Sequence, residues 1–305
     1  MSDSHRLQQA AEQGAALFEA PQLGTIAIEG KDRQSWLNGL VTCDVMKVAP
    51  GSAAYGLAVV KVGRIITDLF VLDAGERLLL GLPREKVEPL REHLEQYLMM
   101  EDAVHEDVSD SYAWAFAHGP KAEKLFAELL PRHGGFSGAV DLLGFGGAAA
   151  VLPPDRLAKM LDEAVTEGGS DVVRGSESDW EALRITRHLP RFGIDFDEKT
   201  YPQEASLEKL AVSFQKGCYL GQEVVCRLEM RGHVSRKIVP LAVEGEGVPA
   251  KGAEVKADDR VIGNVTSATQ GPDGVIALAM IRYAYAQPEK KVEVEGRPAT
   301  VLEGR

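Results

Sequence analysis

Cysteine is scarce in this chain, with three residues in 305: Cys43, Cys218 and Cys226. An odd and small number argues against a disulfide framework and suits free thiols in a reducing cytosol. No two of them have zinc-ribbon spacing, and three alone make a poor cluster site. Long apolar runs are missing as well. None approaches the roughly 18 residues that cross a bilayer, and the opening "MSDSHRLQQAAEQG" is polar, without the apolar stretch of a secretory signal. Positive charge is in deficit: 34 Lys and Arg stand against 46 Asp and Glu, a net charge of −12. That balance weighs against a nonspecific nucleic-acid or anionic-membrane binder, which needs a broad basic footprint. There is no Walker A loop, no G-x-S-x-G elbow and no H-E-x-x-H pair. What remains is a folded cytoplasmic protein, with 45% hydrophobic and 26% charged residues.

Three textures follow one another along the chain. "GTIAIEG" (24–30) reads as a strand and "KDRQSWLNGL" (31–40) as a helix. Residues 53–83 read as three antiparallel strands with turns at Gly63-Arg64 and around Gly75. In 84–99, Val87, Leu90, Leu94 and Leu98 make one helical stripe. The second texture alternates strand (112–119), helix (121–130), strand (144–153), helix (155–165) and strand (171–175), the order of a ferredoxin-like sandwich. The Gly-rich stretch 134–147 reads as a loop. After a helix and an irregular segment from residue 180, the tail from about Arg236 breaks into short alternating runs, the pattern of a small antiparallel barrel. The expected fold is therefore α+β. Its parts are an N-terminal α+β domain (1–110), a ferredoxin-like domain (111–178), a segment (179–235) packing back on the first domain, and a C-terminal β-barrel (236–305).

The stretch "FQKGCYLGQEVVCR" (214–227) stands out. Cys218 follows Lys216 and Gly217, and Gly217 and Gly221 permit a tight path around it. Residues 222–229 read as a short helix. A thiol ahead of a helix N-terminus and beside an ammonium favours the thiolate, the form that attacks electrophiles or binds metal. The competing reading is a small residue packed in a turn. Tyr219 either stacks on a planar ligand or packs in the core. Gln222 and Glu223 either bind a ligand or supply first-turn polarity. Cys226 and Cys43 read as packed thiols. Arg227, Arg231, Arg236 and Lys237 form a local basic cluster with Lys216.

"KGCYLGQE" followed by further arginines resembles the hallmark of the YgfZ family of folate-binding proteins, with Lys216, Gly217, Cys218, Tyr219, Gly221, Gln222 and Glu223 all in place. Residues 28–45, 50–71 and 261–269 are similar to the same family's other signatures. The glycine cleavage T-protein is a more distant relative. The resemblance implies a ring-like molecule of two α/β sandwich domains with antiparallel sheets plus the small barrel, binding tetrahydrofolate centrally. It implies an accessory role in assembly or repair of iron–sulfur enzymes, with an indirect effect on tRNA modification. Partners would be folate and iron–sulfur enzymes or assembly proteins, with no direct nucleic-acid or membrane binding and no stable metal. Cys218 would do the chemistry with Lys216 depressing its pKa, while Arg227, Arg231 and Tyr219 would contact folate. T-proteins carry paired aspartates where this chain has Thr67 and Asp68, and a pterin-holding glutamate whose counterpart here is Ala148. The resemblance on those two replacements argues against aminomethyl transfer. Two alternatives remain: a folate-dependent aminomethyl or methyltransferase, and a folate-binding module without chemistry.

Overall fold

In chain order the elements are α1 (Asp3–Gln13), β1 (Ala15–Glu19), β2 (Leu23–Glu29), α2 (Arg33–Asn38), β3 (Gly51–Val59), β4 (Ile65–Asp73), β5 (Arg77–Pro83), α3 (Val87–Glu95) and β6 (Val104–Asp107). Then come β7 (Ala113–His118), α4 (Ala122–His133), β8 (Phe136–Ala139), β9 (Gly147–Leu152), α5 (Pro154–Gly168) and β10 (Val172–Arg174). The last stretch holds α6 (Glu177–Thr186), α7 (Glu208–Ala211), α8 (Gln222–Arg231), β11 (Arg236–Val243), β12 (Glu254–Ala257), β13 (Arg260–Gly271), β14 (Gly274–Arg282), β15 (Lys291–Val294) and β16 (Arg297–Val301). This computed structural model describes residues 3–304, the side chains of 3–5 and of Arg231 excepted. The chain divides into two compact units. One holds 1–59, 66–179 and 215–220, and the other 60–65, 180–214 and 221–305.

The first unit is built on one sheet of ten strands, ordered β10-β1-β7-β9-β8-β3-β4-β5-β2-β6. The 1–110 and 111–178 domains expected from the sequence therefore share a continuous sheet, joined where β3 and β8 pair in parallel over two residues. Each half repeats the same wiring. The run β7-α4-β8-β9-α5-β10 has the ferredoxin-like connectivity, with β1 inserted between its first and last strands. The run β2-α2-β3-β4-β5-α3-β6 has one strand more, β3, and places the other four in the equivalent order β6-β2-β5-β4, with β3 beside β4. The Gly-rich stretch expected as a loop contributes β8, pairing with β9.

Period-two alternation sorts the side chains of each half onto two faces. On β7 and β9 the small residues Ala115, Ala117, Ala148 and Ala150 face the helices and pack under Phe126, Leu129, Met160 and Leu161. In the other half Ile26, Ile28, Leu69, Val71, Leu78 and Leu80 lie under Trp36, Leu37, Leu90 and Leu94. The opposite faces of the two halves meet each other. Trp114 on β7 reaches β2, its Nε1–H donating to Thr25 Oγ1 at 2.9 Å. Its indole fills the space over Gly81 of β5, where an added Cβ would stand 2.6 Å from the ring. Phe70 and Phe116 continue this aromatic layer with centroids 4.6 Å apart.

The second unit contains the closed barrel, β11-β14-β13-β12-β15-β16. Its interior is lined by small and branched residues, among them Val239, Leu241, Val255, Ile262, Ala277 and Ile281. Arg184 of α6 is fully buried there. Its guanidinium donates to Asp195 Oδ2 at 2.8 Å, Ser267 Oγ at 3.0 Å, Leu189 O at 3.1 Å and both oxygens of Glu181. Asp195 Oδ1 accepts from Thr266 and Ser267 of β13, and its Oδ2 also accepts the Arg191 amide. A buried charge is tolerated only when its hydrogen bonds are complete, and this network ties α6, the 187–195 turn and the barrel together. Arg184→Met is expected to lower stability by about 3–5 kcal/mol, because it strands the Asp195 carboxylate. Arg184→Met with Asp195→Leu should regain part of the loss. Urea unfolding checks both, and a loss below about 1 kcal/mol for the single change would remove the network from this role.

Candidate functional site

The motif begins with a lysine that points inward. Helix α2 ends at Asn38, and Gly39 follows as its C-cap. The chain then turns through Leu40 to Cys43 and bridges to β3, with Val41 opposite Ala58 and the Thr42 amide and hydroxyl both engaged with Leu57. The Asn38 side chain holds the turn closed by accepting the Val45 amide at 3.0 Å. Three carbonyls of this turn converge on Lys216 Nζ: Asn38 O at 2.6 Å, Val41 O at 2.8 Å and Cys43 O at 2.6 Å. An ammonium has three N–H donors, and here each has an acceptor. Burial pulls the Lys216 pKa down to about 8, with Cys43 and Asp44 acting the other way. It is therefore still predominantly protonated at neutral pH.

Lys216 is thus not the electrostatic partner of Cys218 that the sequence suggested. Its donors are spent on the α2 turn, and what it supplies is a fixed point. A second fixed point lies four residues on, where the Leu220 amide donates to Gly39 O at 2.9 Å. Between the two, Tyr219 is turned in. It is 6% exposed, and the Lys216 ammonium lies 5.2 Å from its ring centroid. The ring is packed, with little surface open to solvent. Gly217 and Cys218 are left on the outside of the arch.

The three thiols differ sharply. Cys218 is exposed. Cys43 is buried, and burial pushes its pKa up to about 11. Cys226 on α8 is half-buried, and burial followed by the charge of Glu229 raises its pKa. A thiol held protonated and covered, as Cys43 is, is unreactive, and Cys218 is the most exposed of the three. Gly221 adopts φ 78° at the N-cap of α8, a backbone shape that favours glycine. Gln222 is half-buried and Glu223 exposed in the first turn of that helix. Arg227 is exposed on the same helix, and the Arg231 side chain lies outside the described residues. Among the described residues no group of three or more His, Cys, Asp or Glu could hold a metal, and no helix is long and apolar enough to cross a membrane.

Two replacements that the sequence set against group transfer change meaning in the structure. Thr67 is fully buried, on the β4 face shared with Leu69 and Val71 under the helices. Asp68 faces the other way and accepts a hydrogen bond from Tyr55 Oη at 2.9 Å. Burial first, and then Asp68, raises the Tyr55 pKa well above the ordinary phenol value. The face of β4 that carries the aromatic layer therefore keeps its carboxylate, and Thr67 removes none from it. Ala148 packs under α4 and α5, so a glutamate at 148 would point into an apolar core. Neither residue argues against folate-dependent transfer. The pairing of Asp68 with Tyr55 is a contact that the sequence did not reveal. The signal was available in strand periodicity, which separates residue 67 from residue 68.

Cys43 in turn explains a glycine. A Cβ at Gly56 of β3 would stand 2.5 Å from Cys43 Sγ. Gly56→Ala should destabilise the protein by about 1–3 kcal/mol. In a Cys43→Ala background that penalty should largely vanish, which a double-mutant cycle in urea measures directly. Equal penalties in both backgrounds would show that the thiol is not the obstacle.

Residues 4–137 match the family described as GCVT N-terminal domain, and residues 236–303 match the glycine cleavage T-protein C-terminal barrel domain. The chain is 28% identical over 308 residues to an aminomethyltransferase of Caldanaerobacter subterraneus, with 94% of this chain and 82% of the relative covered. It is 28% identical over 302 residues to an aminomethyltransferase of Listeria monocytogenes, covering 92% and 82%. The crystal structure of glycine cleavage system aminomethyltransferase T from Bartonella henselae superposes with a TM-score of 0.82 at 20% identity, over 98% of this chain and 88% of that one. At that identity the superposition speaks for the fold. The chain is thus similar to the glycine cleavage T-protein over residues 4–137 and 236–303, and it has the fold of the aminomethyltransferase structure.

Proposed function

We propose that this protein binds tetrahydrofolate and serves as an accessory factor in the assembly or repair of iron–sulfur enzymes, with Cys218 as its working group. The observation that carries this reading is the presentation of Cys218. It is the exposed thiol of the chain, on an arch tied down at Lys216 and Leu220. An accessible thiol on a rigid support is suited to contacting sulfur, iron or a one-carbon electrophile. Buried Cys43 and half-buried Cys226 do not meet those conditions. The similarity to aminomethyltransferases supports the folate part, and the motif around Cys218 supports the accessory part. Arg227 and Arg231 are the candidates for the folate glutamate tail, through charge-assisted hydrogen bonds. Any effect on tRNA modification then runs through client enzymes, which agrees with a net charge of −12.

One observation favours a second reading, folate-dependent aminomethyl transfer. The half-buried Asp68 carboxylate, oriented by Tyr55 Oη, is a suitable acceptor of a proton or partner for a cationic intermediate. The two readings place the essential group on different residues. In cells lacking the protein, wild type and Asp68→Asn should restore the activity of an iron–sulfur enzyme, while Cys218→Ala should not. Purified Cys218→Ala should keep its affinity for tetrahydrofolate, because the arch is held by its neighbours. Full restoration by Cys218→Ala would end the leading reading. Turnover of a methylamine donor with tetrahydrofolate, lost in Asp68→Asn and kept in Cys218→Ala, would establish the second.

A further inference from the structure

The three carbonyls around Lys216 Nζ come from a single turn, at the C-terminal end of α2 and just beyond it. Carbonyls at a helix C-terminus lack intrahelical donors and carry partial negative charge. A turn that aims three of them at one point 2.6–2.8 Å away forms a small receptor for a cation with three donors. Among the described residues no carboxylate is ion-paired with Lys216. Asp44, adjacent in sequence, pairs with Lys47 at 3.2 Å. Direct contact with the ammonium therefore falls to backbone oxygens and the face of Tyr219, while the Asp44 carboxylate adds attraction from farther off.

We propose that the 38–43 turn is a carbonyl cage selective for a primary ammonium, and that Lys216, as its tethered occupant, is the residue that positions Cys218. This rests on the reading of Cys218 as the working group, and it assigns Lys216 a positioning role, not a catalytic one. Lys216 and Leu220 are the polar anchors of the arch, and only Gly217, Cys218 and Tyr219 lie between them. Gly217 has open space around it, with no neighbouring atom within 4 Å of an ideal Cβ. It gives the arch no support of its own. Withdrawing the ammonium leaves three acceptors, two of them buried, without their donor and frees one end of the segment that aims the thiol. A guanidinium, planar with its donors in a fork, does not match three converging acceptors.

The test uses the full-length protein and reads the anchor at the far end of the arch. Amide hydrogen exchange at Leu220 should speed up by about tenfold or more in Lys216→Met, and Lys216→Arg should not restore protection. In Lys216→Ala, ethylammonium should fill the cage and return the Leu220 amide toward its wild-type protection. Tetramethylammonium has no N–H donor and should do nothing. In cells, Lys216→Met should fail to complement, as Cys218→Ala does. Wild-type exchange at Leu220 in Lys216→Met would overturn the proposal. So would raised exchange in Lys216→Ala that ethylammonium leaves unchanged, since the lysine stem would then be acting by filling space. The exchange and rescue measurements need no client enzyme. If they succeed while Cys218→Ala is silent in cells, the functional reading falls and the cage stands.

Discussion

A lone ammonium held by three backbone oxygens organises the candidate site. The interaction joins residues as far apart as 178 positions, bringing the 215–220 segment onto the end of α2 and the turn after it. Burying a charged group away from water is unfavourable unless its hydrogen-bonding capacity is filled. That requirement makes the contact specific, since a turn that presented only two oxygens would leave one donor stranded. The Asn38 side chain that braces the turn, the glycine cap after α2 and the Thr42–Leu57 bonds all serve the same geometry.

The sheet that supports this turn is a duplicated ferredoxin-like motif, and its two kinds of face do different work. Alanines toward α4 and α5 let those helices approach closely. Aromatics on the reverse side, Trp114 and Phe116 with Phe70, fill the space where the halves meet. The same alternation decides the meaning of neighbouring polar residues. Thr67 satisfies itself within the strand, donating to Asp68 O at 3.0 Å. Asp68 projects to the other side and meets a tyrosine from the adjacent strand. A carboxylate's chemistry here depends on which side of one strand it occupies.

Fold and function come apart at this point. The GcvT-like framework hosts aminomethyltransferases, and this chain keeps both that framework and a positioned carboxylate. It also carries an exposed thiol on a braced arch. A fold constrains what can be built on it without choosing the chemistry. The choice lies with the particular side chains that reach solvent or ligand.

Local order was legible in the residues. The helix over 31–40, the strands of 53–83, the strands and helices after 112 except β8, and the terminal barrel all followed from periodicity and turn chemistry, since those signals act over a few neighbouring residues. That "KGCYLGQE" is unusual was legible too, because lysine, cysteine and glycine crowd together there. The single sheet uniting both halves was not legible, because the parallel contact of β3 with β8 spans only two residue pairs and leaves no pattern. Nor was the role of each motif residue. The sequence by itself determined which elements form and which segment is special. Only the tertiary structure decided that Lys216 turns inward, that Tyr219 is covered and that Cys218 is left outside, because those outcomes depend on carbonyls supplied by a turn more than 170 residues earlier.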